Sequence, residues 1–361
     1  MEKPAVRISV RNLVEFILRS GDLDNRRGAG DKEAMLKGSR LHRKIQSRMG
    51  SEYRAEVSMK LESEYEDVRI IVEGRADGIF TEDDQVWIDE IKGVYADIGK
   101  MEEPATVHKA QAKCYAWICA REQGLERAGV QMTYGNLDTE EIRRFREIYT
   151  AEELRDWYQG LLDAYHKWIA YQIAWKKERN SSMEGLEFPF AYREGQRKIV
   201  TSVYHSISAG KQIFIQAPTG VGKTMSTIFP AVRAVGEGLG ENIFYLTAKT
   251  ITRTVAEEAF QILSRHGLKF KVITITAKEK LCFCEKPECN PEKCLYARGH
   301  FNRINNAVYE LWTGTDRYDR ETLLAAAQKW QVCPFELCLD LAVWTDSVIC
   351  DYNYVFDPNV Y

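Results

Sequence analysis

The sequence predicts an α/β protein of two domains, and three observations carry that prediction. Up to about residue 175 the apolar pattern runs helix, three strands, helix, strands, helix. From residue 212 apolar strand runs alternate with helical patterns, the arrangement of a parallel sheet. Between them, Lys176 to Gly185 is a polar stretch that breaks the apolar periodicity and reads as a linker. The domains expected on this basis are residues 1–177 and 188–361, joined by a linker over 178–187.

In the first domain, helical patterns at 9–20 and 32–49 precede three strand-like runs, Tyr53 to Leu61, Val68 to Phe80 and Val86 to Val94, separated by acidic turns. A helix is expected from Ala105 to Gln123, where Val107, Ala110, Cys114, Trp117 and Ile118 recur at helical spacing. A strand pair at 129–134 and 142–149 and a helix bearing Leu154, Trp157, Leu161, Tyr165 and Trp168 complete it. In the second domain, strands are expected at Gln212 to Gln216, Asn242 to Thr247 and Phe270 to Thr276.

Composition narrows the class. With 361 residues, 45% hydrophobic and 29% charged, the chain is globular, which excludes a disordered, collagenous or coiled-coil protein. The net charge of -3 is silent about nucleic acid, because binding depends on where cations cluster. No run reaches the roughly 18 to 20 apolar residues of a membrane span, so a cytoplasmic protein without a membrane partner is expected. Seven of the nine cysteines lie between residues 282 and 350, and in a reducing compartment such crowding reads as metal or cluster ligation before disulfides.

The most specific motif is Ala217-Pro-Thr219-Gly220-Val-Gly222-Lys223-Thr224, expected between a strand and a helix. It fits a Walker A loop except that Ala217 stands where Gly is usual. Its glycines let backbone N–H groups curl around phosphates, Lys223 supplies a compact cation, and the Thr224 hydroxyl suits Mg2+. Nucleotide, ATP above all, is the ligand expected. Upstream, the aromatic cluster Phe188 to Tyr192 is followed by Gln196, whose amide can present both a donor and an acceptor to a base edge. After the next strand, Leu246-Thr247-Ala248-Lys249-Thr250 offers hydroxyls and a cation suited to a nucleic-acid backbone.

Cys282, Cys284, Cys289 and Cys294, followed by Cys333, are thiolate candidates for zinc or a [4Fe-4S] cluster, and spacing leaves both open. Their position after the Walker A loop, with Lys280-Leu281-Cys282, Cys294-Leu-Tyr, Cys333-Pro334-Phe335 and Tyr352-Asn353-Tyr354 to Asp357-Pro358, resembles the XPD/DinG iron-sulfur superfamily 2 DNA helicases over residues 186–361. That resemblance implies a RecA-like lobe with an iron-sulfur insertion at about 279–336. It implies Cys282, Cys289, Cys294 and Cys333 as cluster ligands, with Cys284 the alternative to Cys289, and Gln196 in the helicase adenine-reading position. It also implies 5'-to-3' movement on single-stranded or forked DNA. No Asp-Glu-Ala-His box occurs in the chain, and Tyr352 follows Asp351 where a helicase Walker B continues with Glu. Residues 188–361 are therefore expected to be a truncated first lobe that binds nucleotide without efficient ATP hydrolysis or unwinding.

In the first domain, Glu90 and Lys92 are two apart and share one face of a strand, and Asp77 can face them from the neighbouring strand. Two carboxylates beside a lysine form a site for Mg2+ or Mn2+ and phosphodiester hydrolysis, with Lys92 orienting the attacking water. Charges alternate on most half-exposed strands, but three additions single this one out. His42 on the preceding helix can be a third ligand, and Gln111 and Tyr115 lie at i, i+4 on the following helix. The order His42, Asp77, Glu90-x-Lys92, Gln111-x-x-x-Tyr115 resembles the PD-(D/E)XK, restriction-endonuclease-like fold of RecB-type nucleases over residues 8–175.

Together the two resemblances imply a metal-dependent DNA nuclease fused to a DNA helicase of repair or processing, acting as a monomer. Two other readings are open from sequence: a DNA-binding module whose nuclease fold is inactive, and a zinc-binding P-loop protein unrelated to helicases. Cys338 and Cys350 read as buried small hydrophobes, and His108, His166, His205, His266 and His300 as surface or packing residues.

Overall fold

A computed structural model describes residues 3–26, 32–248 and 250–357. The chain divides into two compact units, Met1–Ser20 with Asn25–Ala170, and Gly21–Asp24 with Tyr171–Tyr361.

The first unit is a mixed sheet with helices. Strand β1 (Ala5–Ser9) leads into α1 (Val10–Ile17) and α2 (Lys32–Gln46) follows. The expected meander is β2 (Arg54–Glu64), β3 (Arg69–Glu82) and β4 (Gln85–Val94); α3 (Thr106–Gln123) crosses over to β5 (Arg127–Asn136), and β6 (Ile142–Thr150) runs into α4 (Ala151–Met183). The strand order is β1-β3-β4-β5-β6, with β2 also pairing β3. Because β4 and β5 are parallel, α3 must recross one face of the sheet. Its two cysteines, Cys114 and Cys119, are buried, as small apolar side chains are. Strand β1, too short and charged to stand out in the sequence, pairs parallel with β3.

The second unit holds α5 (Gln196–Ser208), α6 (Lys223–Gly236), β7 (Ile243–Thr247), α7 (Thr250–Arg265), β8 (Val272–Thr274), α8 (Lys278–Leu281), α9 (His300–Gly314), β9 (Arg317–Tyr318), α10 (Arg320–Trp330), α11 (Pro334–Ala342), β10 (Ser347–Asp351) and α12 (Asn353–Phe356). Its sheet, in the order β7-β10-β8-β9, is parallel throughout. Met225, Ile228, Phe229 and Val232 of α6 and Phe260 and Leu263 of α7 form one core with Ile349 of β10.

Three expectations are corrected here. The polar stretch taken for a linker over 178–187 continues α4 as far as Met183. Arg179 in that stretch is 4% exposed and its Nη1 lies 2.7 Å from Asp346 Oδ1, while Trp175 donates to Asp346 Oδ2 at 2.8 Å. The division into units therefore falls within α4, at residues 170 and 171, because a buried ion pair uses polar residues as core. The run Gln212 to Gln216 forms no strand, and Phe214 is 95% exposed. Finally, the stretch expected as a separate insertion supplies β9, which pairs parallel with β8 of the sheet.

Candidate functional site

Leu41 and Ile45 of α2, four residues apart, pack on Ile91 of β4. The residues next to them, His42 and Gln46, then reach β3: His42 Nδ1 lies 3.7 Å from Asp77 Oδ1, and Gln46 Nε2 donates to the Asp77 carbonyl at 2.9 Å. The pairing of Gly78 with Asp89 brings Asp77 level with Glu90. Asp77 Oδ2 accepts the Ile91 amide at 2.7 Å, and Lys92 Nζ lies 2.8 Å from Glu90 Oε1 and donates to Gln111 Oε1 at 2.8 Å. The five residues His42, Asp77, Glu90, Lys92 and Gln111 are thus brought together.

Tyr115, one helical turn beyond Gln111, acts differently. Its hydroxyl accepts the backbone amide of Arg75, and a Cβ at Gly74 would lie 2.5 Å from the Tyr115 oxygen. Glycine at 74 is what lets the helix lie this close to β3. Asp89 projects to the other face of β4, fully buried, and accepts from Thr133 at 2.6 Å and Tyr53 at 3.1 Å.

Charge in this site is unbalanced. Glu90 is 5% exposed and its Oε2 is buried without a hydrogen-bond partner among the described residues. Burial, and then the charge of Asp77, push its carboxyl up to about 7 against the pull of Lys92. Burial also raises Asp77, opposed by His42 and the Ile91 amide. A cation between the two carboxylates would relieve both. Among the described residues no group of three or more His, Cys, Asp or Glu side chains is arranged to hold a metal ion, so His42 lies beside the carboxylate pair without closing a three-residue cage. Two carboxylates are nevertheless the usual protein share of a Mg2+ site that takes its remaining ligands from water and substrate phosphate.

In the second unit, Gly222 caps α6 with φ +81 and Gly220 has φ +89. At Gly222 a side chain would also collide with the Gln196 amide. Lys223 Nζ donates to the carbonyls of Ala217 at 2.8 Å and Pro218 at 3.0 Å, so the loop curls over its own lysine. Thr219 is exposed and Thr224 half-buried at the start of α6. Gln196 is buried beside the loop; its Oε1 accepts the Arg193 amide at 3.0 Å, and Arg193 donates to the Gly220 carbonyl. The loop thus presents the N-terminus of a long helix with a lysine at its mouth. Lys249 lies outside the described residues, as does Pro358.

The five cysteines Cys282, Cys284, Cys289, Cys294 and Cys333 line one cavity with Leu23, Phe283, Tyr296 and Pro334. Cys284 Sγ lies 3.9 Å from Cys294 Sγ, and the Cys284 amide donates to Cys282 Sγ at 3.4 Å. Burial and then the neighbouring Cys294 push the Cys284 thiol up to about 11, and burial does the same for Cys333. Burial would lower the Lys278 ammonium, but a hydrogen bond to Cys289 together with the charges of Cys289, Glu336 and Cys333 outweighs it and the net shift is upward.

Sequence reasoning missed two members of this region. His300, fully buried, accepts the Cys333 amide at Nδ1, 3.2 Å away. Leu23 reaches the cavity from a segment whose backbone bonds to Ala297 and Phe301. Neither carries a local sequence signal. Cys338 and Cys350 are buried away from these contacts, as expected.

Residues 193–286 match the family model described as DEAD/DEAH box helicase, and this segment contains Gln196 and the phosphate loop. No curated protein matches the chain. Solved structures similar to it include one described as the crystal structure of SSO0001, at 20% identity and a TM-score of 0.31, covering 45% of this chain and 78% of that one. An XPD helicase, at 16% identity and a TM-score of 0.31, is matched over 47% of this chain and 29% of its own. A truncated XPD, at 17% identity and 0.30, is matched over 45% and 46%. The chain thus spans under half the length of either XPD structure. Likeness at these TM-scores carries no argument, and the family match stands on its own: it covers residues 193–286, which lie in a mixed α/β unit with a parallel sheet.

Proposed function

We propose that the first unit is a metal-dependent DNA nuclease and that the second is a nucleotide-binding helicase lobe of the XPD/DinG type bearing an iron-sulfur cluster, the two acting together on single-stranded or forked DNA in repair or processing. The observation that carries the nuclease reading is Glu90: a buried carboxylate oxygen without a hydrogen-bond partner among the described residues, level with Asp77 and flanked by Lys92. A bound divalent cation would lower the pKa of water and offset the charge that develops on the phosphate. Asp77 and Glu90 would hold it, with His42 alongside. Lys92, positioned by Glu90 and Gln111, would orient the attacking water and favour loss of its proton. Gln111 is a positioning residue for Lys92, and Tyr115 positions the strand that carries Asp77.

In the second unit, the backbone amides at Gly220 and Gly222 and the charge of Lys223 would take the nucleotide phosphates, with Thr224 at the Mg2+ and Gln196 at the base. The five thiols share one cavity and offer the donor set of a [4Fe-4S] cluster, the group that the resemblance implies. Cys282, Cys294, Cys333 and either Cys289 or Cys284 would ligate the cluster.

The nuclease reading is tested with Glu90→Ala. The variant should lose Mg2+-dependent cleavage of single-stranded DNA; cutting at the wild-type rate would refute the assignment. The cluster is tested by anaerobic purification, with iron and an absorbance band near about 400 nm expected. Colourless protein containing zinc would replace the cluster with a zinc site.

A further inference from the structure

The ladder between β2 and β3 opens at one pair. Ala55 pairs with Gly78 and Val57 with Ala76, the same offset on both sides, so no residue is inserted. Yet Glu56 and Asp77 between them do not pair, and Glu56 has φ +57. A left-handed backbone costs a residue other than glycine about 1–2 kcal/mol. Strain of this kind in an otherwise regular strand concentrates at functional positions.

The distortion relocates a carboxylate. In a regular ladder Glu56 would stand directly opposite Asp77 on the same face, about 5 Å away between Cβ atoms, and two like charges would repel. With the backbone turned, Glu56 Oε2 lies 2.6 Å from Arg75 Nε and Oε1 accepts from Gln46 Nε2 at 3.1 Å. Gln46 Nε2 is the same group that donates to the Asp77 carbonyl.

Arg75 is the beneficiary. It lies two residues before Asp77 and so on the same face of β3. Its amide is held by the Tyr115 hydroxyl, and its side chain is 66% exposed. The Glu56 contact uses Nε, which leaves the terminal Nη edge of a planar guanidinium for a phosphate oxygen. An exposed ion pair is worth only about 0–1 kcal/mol, so the pair does not by itself offset the backbone cost.

We propose that Arg75 is the contact for a DNA phosphate beside the bond being cut, and that Glu56 is the positioning residue that holds it there. The proposal rests on the nuclease reading of the same face. Arg75 fixes the strand relative to Asp77 and Glu90, and Glu56 limits the directions its guanidinium samples.

The full chain and a labelled single-stranded oligonucleotide test this. Binding is measured in Ca2+ over a salt series and cleavage in Mg2+. Arg75→Gln should lower the slope of log K against log salt by about 0.7, the loss of one phosphate contact on a single strand, and raise KM about tenfold with the loss borne by KM rather than kcat. Arg75→Lys should restore the salt slope, since it keeps the charge, but not KM, since it lacks the planar fork. Glu56→Gln should raise KM severalfold and leave the salt slope at the wild-type value. An Arg75→Gln protein with wild-type melting temperature, salt slope and KM overturns the proposal. Wild-type protein that binds DNA but does not cut it in Mg2+ counts against the nuclease reading instead, and the salt slopes still decide Arg75.

Discussion

The carboxylate site and the phosphate loop handle charge by opposite means. In the first unit Glu90 and Gln111 are 5% and 3% exposed, and Lys92 is held between Glu90 of β4 and Gln111 of α3. In the second, Lys223 is exposed, and the loop is shaped by two glycines with positive φ, one of which, Gly222, is the N-cap residue of a helix. The first arrangement holds unfavourable charge in place before any ligand arrives, so it depends on the packing around it. The second holds little charge and depends on backbone conformation, so its surroundings can vary more.

Variants at the two sites should separate these dependences. Glu90→Ala should cut DNA cleavage by more than about 100-fold, the upper range for losing even an outer partner of a metal site, while nucleotide binding measured by fluorescence titration stays at the wild-type level. Lys223→Ala should weaken nucleotide binding about 10- to 100-fold, as expected for a charge-assisted contact worth about 1.5–3 kcal/mol, with DNA cleavage retained. Loss of both activities in either variant would show that the sites are not independent.

A smaller effect is expected from Gly74→Ala. The new methyl group meets the Tyr115 hydroxyl and should destabilise the first unit by about 1–3 kcal/mol, read as a lower melting temperature of that unit with nucleotide affinity unchanged.

The smallest is a pH effect at His108, whose Nδ1 lies 3.0 Å from the Tyr134 hydroxyl. Burial, with Lys92 nearby, lowers its pKa to about 4 from 6.5. The unfolded chain therefore takes up a proton in a range where the folded chain does not. The stability this neutral histidine contributes is present above pH 6.5 and is lost as pH falls from there towards 4. Glu90 works in the opposite sense: with its carboxyl raised to about 7, it loses stability as pH rises from 4.5 to 7. The two windows overlap with opposite signs, so in metal-free buffer His108→Gln should tilt the melting-temperature profile downward with rising pH between 4.5 and 6.5, and Glu90→Gln should tilt it upward over the same range.

The parts of the fold legible in the sequence are those where burial has a period. The β2–β4 meander and α3 were readable because apolar residues recur at two and at about four. The same alternation placed Asp77, Glu90 and Lys92 on one face. The i, i+4 spacing placed Gln111 and Tyr115 on one side of α3 but did not say that Gln111 would meet Lys92 while Tyr115 met the Arg75 backbone. The stretch over 176–185 misled for a physical reason. Its polar residues suggested solvent, yet Arg179 is buried against Asp346, and polarity does not reveal a partner 167 residues away. The run 212–216 has strand composition, but a strand exists only where a neighbour takes up its hydrogen bonds.

By itself the sequence determined the α/β class, the phosphate loop and the carboxylate-lysine face, because each depends on residues close together in the chain. Only the tertiary structure decided that Glu90 has a buried oxygen without a partner among the described residues, that Glu56 leaves its ladder to reach Arg75, that five cysteines share a cavity with Leu23, and that the domain boundary lies inside a helix. Those features arise from contacts between residues far apart in sequence, whose energies depend on burial and geometry that no local pattern encodes.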